Sequence, residues 1–397
     1  MSRLLFLVPK LGSSRPTPGR SWPCRRPCFP GSGVAISVAV HHSASDGSSS
    51  VHFVAPRASA CRSGGSVPVV PPPPVIDRSF VSNPRGLYSI YTDRIGRLLR
   101  DAAPSSTQGD TTADVINRGQ IKRLKQLGLA KIEEGKTESF HCSTIVVYAY
   151  VWPCLVRAQG VDSDRTAHLA FAVDCRGRRS LPLPAGYFGS YVGSCYVEVR
   201  SGDTAGGDDD GLLAACEATG RTIERLEEGL FDGAERWSEK MLYVLANRAM
   251  NVAGSPKLKV YGVDFGWRGP EKVEMTSIRT TGATSLAESP EGEEDGVEIG
   301  FVLPKNEAIA SGTHFSRVDP FARYFVTRAS RNGHCGAMPI KHWWKNLMVL
   351  LVMMLLPLRD AHRRACIGYP SFLRGLTFLP RPQKEESDIS HATIILS

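Results

Sequence analysis

The sequence predicts an α/β protein built of two bodies. Three observations predict it. An apolar run, Val34 to Val40, leads into His41-His42-Ser43-Ala44-Ser45-Asp46-Gly47 and three more serines, the pattern of a strand whose end loop opens a helix. A second strand signature, Ala167 to Asp174, precedes an amphipathic stretch from Leu212 to Leu230, where Leu213, Cys216, Ile223, Leu226 and Leu230 recur at near-helical spacing. Turn residues then punctuate short apolar segments up to Leu303. A chain of 397 residues is long enough for two domains and a sizeable core.

In chain order, Ser48 to Ser50 are suited to cap the helix after the first strand. Pro56 falls inside that helix, where a lost hydrogen bond and a ring clash cost about 3 kcal/mol. Pro71 to Pro74 reads as a stiff connector, and residues 101–112, rich in Ser, Thr, Asp and Gly, as a linker. Gln120 to Leu127 reads as a helix with Ile121, Leu124 and Leu127 near one face. A second body starts near residue 140. Ser143 to Val156 is apolar enough for a buried helix, or for a strand running into one. Ala234 to Val252 is expected to be helical. Leu258 to Phe265, Lys272 to Ile278, Thr284 to Glu288 and Val297 to Leu303 are expected to be antiparallel strands. Leu347 to Leu358 is strongly apolar, but falls short of the roughly 20 residues a membrane helix needs, so a buried or disordered tail is expected there.

Composition excludes several functions. Hydrophobic residues make up 42% and charged residues 22%, ordinary values for a globular protein. The net charge of +9 belongs to the ends: residues 1–40 carry +6 and residues 317–397 carry +7, which leaves −4 for residues 41–316. That acidic body has no basic stripe, so nucleic acid is not an expected partner. The ten cysteines are scattered, and Cys24 and Cys28 have no second pair to complete a zinc site, so no metal is expected. Reduced thiols point to a cytoplasmic protein. Leu4 to Val8 is too brief for a secretory apolar core. No Gly-x-Ser-x-Gly, Walker A or Gly-x-Gly-x-x-Gly sequence is present, which removes support for a serine hydrolase or a nucleotide-binding protein.

His42 and Asp46 taken alone could be an acid–base pair or an incidental spacing. A second signal stands far downstream: Tyr261-Gly262-Val263-Asp264-Phe265-Gly266-Trp267-Arg268-Gly269-Pro270. Between and around the two lie, in order, Pro73-Pro74-Val75-Ile76-Asp77-Arg78-Ser79, Ala149-Tyr150-Val151-Trp152, Ala172-Val173-Asp174-Cys175-Arg176, Tyr187-Phe188-Gly189 and Gly254-Ser255-Pro256-Lys257-Leu258. This ordered set, over about residues 34–304, resembles the BAHD family of plant acyl-CoA-dependent acyltransferases. It is most similar to the branch of anthocyanin and phenolic-glucoside malonyltransferases.

The resemblance implies a chloramphenicol-acetyltransferase-like architecture of two α/β domains with a channel between them. It also implies a monomer that uses acyl-CoA as co-substrate, malonyl-CoA favoured and a hydroxycinnamoyl-CoA as the other candidate. No resident cofactor is implied, and the acceptor is a hydroxyl of a flavonoid, anthocyanin or phenolic glycoside. His42 is the general base it implies. Asp46 is implied to brace the loop through Arg176, its own residue-level reading being a carboxylate at a helix start. Trp267 is implied as a donor to the oxyanion, with a packed core aromatic as the alternative. Asp264 and Gly266 are implied to shape the CoA side, and Ser143 and Thr144 to lie near the pantetheine arm. For a malonyl carboxylate, Arg176 and Arg178 are the basic candidates.

On the same basis the chain divides into residues 1–33, outside the family and unstructured, and 34–100, a partial first domain. Residues 101–139 are a crossover linker, 140–304 the second domain and 305–397 a non-family tail. About one domain's length of chain precedes the histidine motif in the family. Only 40 residues precede it here, 33 of them unrelated to the family, so the first domain is expected to be incomplete, and a catalytically inactive remnant is the alternative function. Two local departures add expectations. Arg268 and Gly269 stand in the reverse of the family order, so Arg268 is strained if its position needs a positive φ. Ser190 and Tyr191 replace the Asn-Cys usual in the malonyl branch.

Overall fold

The computed structural model describes residues 33–64 apart from 39 and 41–43, and residues 74–93 apart from 82, 83 and 92. It also describes 110–129, 142–177 and 183–303 apart from 185, 206, 207, 248, 276, 277, 279–281 and 293, with strand backbone at 24–25, 28–29 and 392–396. Two sheets organise these residues. The first holds β1 (Cys24–Arg25) and β2 (Cys28–Phe29), both antiparallel to β3 (Gly33–Val38). On the other side of β3 lies β11 (Ala392–Leu396), parallel to it and, in turn, to β8 (Lys272–Met275). The second sheet runs β4 (Asp110–Ile116), β10 (Val297–Leu303), β9 (Thr284–Glu288), β7 (Met250–Gly254), β5 (Thr166–Asp174), β6 (Val192–Arg200). Its outer pairs β4–β10 and β5–β6 are antiparallel, and its centre β9–β7–β5 is parallel. The fold is therefore mixed α/β.

Local chemistry explains the helices. Helix α1 (Gly47–Arg62) begins at Asp46, whose carboxylate accepts from Ser49 N–H at 2.9 Å. The cap is thus Asp46, and the serines that follow lie inside the helix. Pro56 does not end it, because Phe53, Val54 and Ala58 bury one face against Val34, Ile36 and Val38 of β3. Helix α2 (Arg118–Leu129) is capped by Asn117, whose side chain accepts from Gln120 N–H while Gln120 returns the bond to Asn117 N–H, both at 2.9 Å. Helix α3 (Ser143–Ala158) is buried on every side from Ile145 to Val156. That settles the choice left by its composition: it runs through the core as a helix. Helices α4 (Ser201–Ala205) and α5 (Asp208–Glu228) pack on α3 and β6, and α6 (Trp237–Ala246) packs on β5.

Several sequence expectations need correction. Residues 110–112, read as linker, begin β4, and Ile116, Ile121 and Leu124 join the large core with α3. The helix expected up to Val252 stops at Ala246, and Met250–Gly254 is strand. Leu258 to Phe265 forms no strand; it contains two 3-10 turns, Pro256–Leu258 and Val260–Gly262. Lys272–Met275 is a strand of the first sheet. Leu347 to Leu358 lies outside the described residues. Among the described residues no helix is long and apolar enough to cross a membrane.

A buried polar cluster fastens one sheet to the other. Lys272 on β8 pairs with Glu298 on β10, and the Tyr261 hydroxyl donates to the same carboxylate. Val273 N–H donates to the Tyr261 oxygen at 3.2 Å. Burial, reinforced by the neighbouring Glu298, pushes the Tyr261 phenol pKa upward, so it stays a neutral donor.

Candidate active site

Strand β3 delivers the chain to the loop that carries His41 and His42, and α1 takes it away. His41, His42 and Ser43 lie outside the described residues, as does Arg178; from Ala44 onward the support of the loop is visible. Asp46 is 5% exposed and accepts four hydrogen bonds. Its Oδ1 takes Ser49 N–H at 2.9 Å and Arg176 Nη2 at 3.2 Å. Its Oδ2 takes Arg176 Nη1 at 2.8 Å and Tyr191 N–H at 2.9 Å. Two donors on each oxygen use the carboxylate's capacity. Asp46 therefore has no lone pair left for a proton relay, and its contacts are those of a brace.

Arg176 closes the other half of this latch. It reaches Asp174 Oδ1 at 3.0 Å, Ser49 Oγ at 2.9 Å and the Gly189 carbonyl. Burial works against its charge, but Asp46 and then Asp174 outweigh that, and the net effect is an upward shift of the guanidinium pKa. Ser48 Oγ donates to Asp174 Oδ2 at 2.8 Å, so the start of α1 is tied to the end of β5 twice. Ser49 Oγ also accepts from Gly189 N–H at 3.0 Å and donates to the Gly189 carbonyl at 2.9 Å.

The Asp264 to Gly269 turn meets the same helix at its other end. Asp264 accepts from Gly266 N–H at 2.7 Å and pairs with Arg62, the last residue of α1, at 3.6 Å. Gly266 has φ 106°, and a Cβ there would stand 3.2 Å from the Arg62 Cα. Glycine is required by both backbone angle and approach. The two sequence motifs thus hold opposite ends of one helix. Trp267 and Phe265 stack with ring centroids 6.5 Å apart, on the core formed by β3, α1 and Phe188. Ser143 and Thr144 open α3 instead; Ser143 Oγ accepts from Lys125 at 2.9 Å. No hydrogen bond or ion pair links either of them to Asp46 or Arg176 among the described residues.

Arg268 has φ 79°, the left-handed region that glycine occupies without a Cβ penalty. The reversed Arg-Gly order therefore carries the strain expected of it. Arg268→Gly is expected to raise stability by about 1 kcal/mol, read from the urea midpoint; an unchanged or lower midpoint would show that the turn relaxes around arginine. Tyr191 turns its ring into the large core, edge-on to Tyr187 and Phe231, and its buried hydroxyl has no hydrogen-bond partner among the described residues. Burial, then the nearby Cys175 and Tyr187, push its phenol up to about 12 against the opposing charge of Arg176. Tyr191→Phe removes an unsatisfied group and keeps the ring. It is expected to be neutral or to stabilise by up to about 1 kcal/mol in the same titration, and a loss above that would mean the hydroxyl has a role.

Sequence reading missed Arg78. Its guanidinium donates to the carbonyls of Ala44 at 2.8 Å and Phe188 at 2.6 Å and to the Tyr187 hydroxyl at 3.0 Å. The one available signal was its place in the Asp77-Arg78-Ser79 segment.

Comparison with known proteins fits this arrangement. The Transferase family model matches residues 28–315. The chain is 30% identical over 302 residues to phenolic glucoside malonyltransferase 1 of Arabidopsis thaliana, a match covering 70% of this chain and 64% of that protein. It is also 30% identical over 302 residues to malonyl-coenzyme A:anthocyanin 3-O-glucoside-6''-O-malonyltransferase of Dahlia pinnata, covering 72% and 64%. A coumaroyl-CoA:anthocyanidin 3-O-glucoside-6''-O-coumaroyltransferase 2 of Arabidopsis thaliana is 30% identical over 297 residues, covering 70% and 62%. The chain thus spans just under two thirds of the length of these curated relatives. Among solved structures, vinorine synthase superposes with a TM-score of 0.46 at 18% identity, covering 68% of this chain and 59% of that one.

Proposed function

The chain belongs to the Transferase (BAHD) family, and from that premise we propose that it transfers an acyl group from acyl-CoA to a hydroxyl of a phenolic or anthocyanin glycoside. Malonyl-CoA is the favoured donor and coumaroyl-CoA the second candidate, because relatives with those named activities share about the same identity. The observation that carries the reading is the fully bonded Asp46 carboxylate. It fixes the chain four residues after His42, which leaves the imidazole as the proposed base of the motif.

In this reading His42 takes the proton of the acceptor hydroxyl as the oxygen attacks the thioester carbonyl. The C–O bond forms as the carbonyl electrons move to oxygen. They return as the C–S bond breaks, and the imidazolium gives its proton to the departing CoA thiolate. No acyl-enzyme is needed. Trp267, whose indole N–H meets no acceptor among the described residues, is the proposed donor to the transient oxyanion. Arg176 already serves Asp46, Asp174 and Gly189, so it is a poor candidate for the malonyl carboxylate. The proposed setting is a soluble cytoplasmic monomer with acyl-CoA as co-substrate.

The test is thiol release from malonyl-CoA and coumaroyl-CoA by the purified full chain, with a phenolic glucoside or anthocyanin glucoside as acceptor. Acceptor-dependent release with an acylated glycoside as product is the expected result. Release no greater than in the protein-free control, for both donors and both acceptors, overturns the proposal.

A further inference from the structure

We propose that Arg78 is a positioning residue for acyl transfer, holding the backbone just after His42; this rests on the acyl-transfer reading above. Arg78 begins a 3-10 turn, Arg78–Phe80, capped by Asp77, which accepts from Ser79 N–H at 2.8 Å. The turn is stapled close by. Val75 N–H donates to the Gly186 carbonyl at 2.9 Å, and Phe188 N–H donates to the Val75 carbonyl at 2.8 Å. From this anchored base the guanidinium lies over the Tyr187 ring, 5.5 Å from its centroid. Nη2 reaches Ala44 while Nη1 reaches Phe188 and Tyr187.

Two features make this a positioning device rather than a surface contact. First, it divides the work with Arg176. Arg78 holds residue 44 and Arg176 holds residue 46, on either side of Ser45, whose own hydroxyl bonds Ser50 at 2.9 Å. The two arginines converge on Gly189, whose carbonyl receives Arg176 and whose neighbour's carbonyl receives Arg78. Second, the space is reserved for the guanidinium. A Cβ on Gly189 would fall 1.6 Å from Arg78 Nη1 and 2.7 Å from its Cζ. A planar fork spans two carbonyls at once in a fixed geometry, whereas an ammonium is a point charge on a flexible stem. Ala44 and Asp46, two and four residues after His42 in the chain, are thus both pinned.

The experiment compares Arg78→Ala and Arg78→Lys with the parent full chain, by steady-state kinetics, thermal unfolding and amide hydrogen exchange over residues 42–48. Expected for Arg78→Ala is a fall in kcat of about 100-fold, the size that a misplacement of about 1 Å produces. The acyl-CoA KM should stay within about threefold, a cooperative unfolding transition should persist, and exchange in 42–48 should quicken. Arg78→Lys should recover part of both kcat and protection. Unchanged exchange, or an unchanged kcat beside faster exchange, overturns the proposal. Loss of cooperative unfolding in both variants also overturns it, because Arg78 is then a folding residue. If the parent itself shows no acyl transfer, the acyl-transfer reading fails separately, and exchange alone decides whether Arg78 holds the loop.

Discussion

Turnover is expected to fall by about 10²- to 10⁴-fold when His42 is replaced by alanine, the contribution of a positioned general base. The acyl-CoA KM should change little, since the imidazole acts on the acceptor proton. In the parent, kcat/KM should rise with pH as the imidazole gives up its proton. The sign follows from the mechanism: the neutral ring is the base, so activity is lost as pH falls. His42→Ala should lose that acidic limb along with the rate. His41→Ala is the control and should retain both. A rate within tenfold of the parent in His42→Ala, or loss in His41→Ala alone, would move the role to another residue.

The second large effect is on stability. Asp46→Ala is expected to cost about 3–5 kcal/mol, because it leaves the partly buried Arg176 without its main counter-charge. The same change removes the α1 cap and the acceptor for Tyr191 N–H. Asp46→Asn keeps acceptor geometry on one side and should cost about 1–2 kcal/mol. Arg176→Met added to Asp46→Ala should restore part of the loss, since the orphaned cation is then gone. Urea titrations of the parent, Asp46→Ala, Arg176→Met and the double variant give the coupling directly. A loss under about 1 kcal/mol for Asp46→Ala would mean that the latch contributes little and the core of α1 holds the loop alone.

Local pattern explains what could be read from the chain. The strand before His42 and the helix after it announce themselves by the apolar run and the polar break that follows it, and the structure places them as β3 and α1, with Asp46 rather than a serine as the cap. Two of the strands that escaped reading, β4 and β6, are the two edges of the second sheet. Edge strands tolerate polar residues and glycine, so Asp110-Thr-Thr and Gly193-Ser194 look like loop. Leu258 to Phe265 fails the other way: its apolar residues are buried in turns, and period alone cannot tell these from a short strand. At the site, Asp46 with Arg176 was accessible only through family resemblance, because 130 residues separate the partners. Arg78 was marked only by its place in the Asp77-Arg78-Ser79 segment, which gave no hint of its partners. Its acceptors are main-chain carbonyls, which every residue carries and no sequence pattern marks.

The make-up of the first sheet sets an order of assembly. The second sheet draws all its strands from residues 110–303, its longest closure being β4 with β10. The first sheet joins Val34 to Ala392, 358 positions along the chain, and Lys272 to Thr393, 121 positions along it. Such closures come late and slowly, since entropy is lost before contacts repay it. On a ribosome, the large core can consolidate while β3 still waits for its parallel neighbour. The mount of His42 is then the last part of the molecule to set, and by the same logic the first to loosen under heat or denaturant.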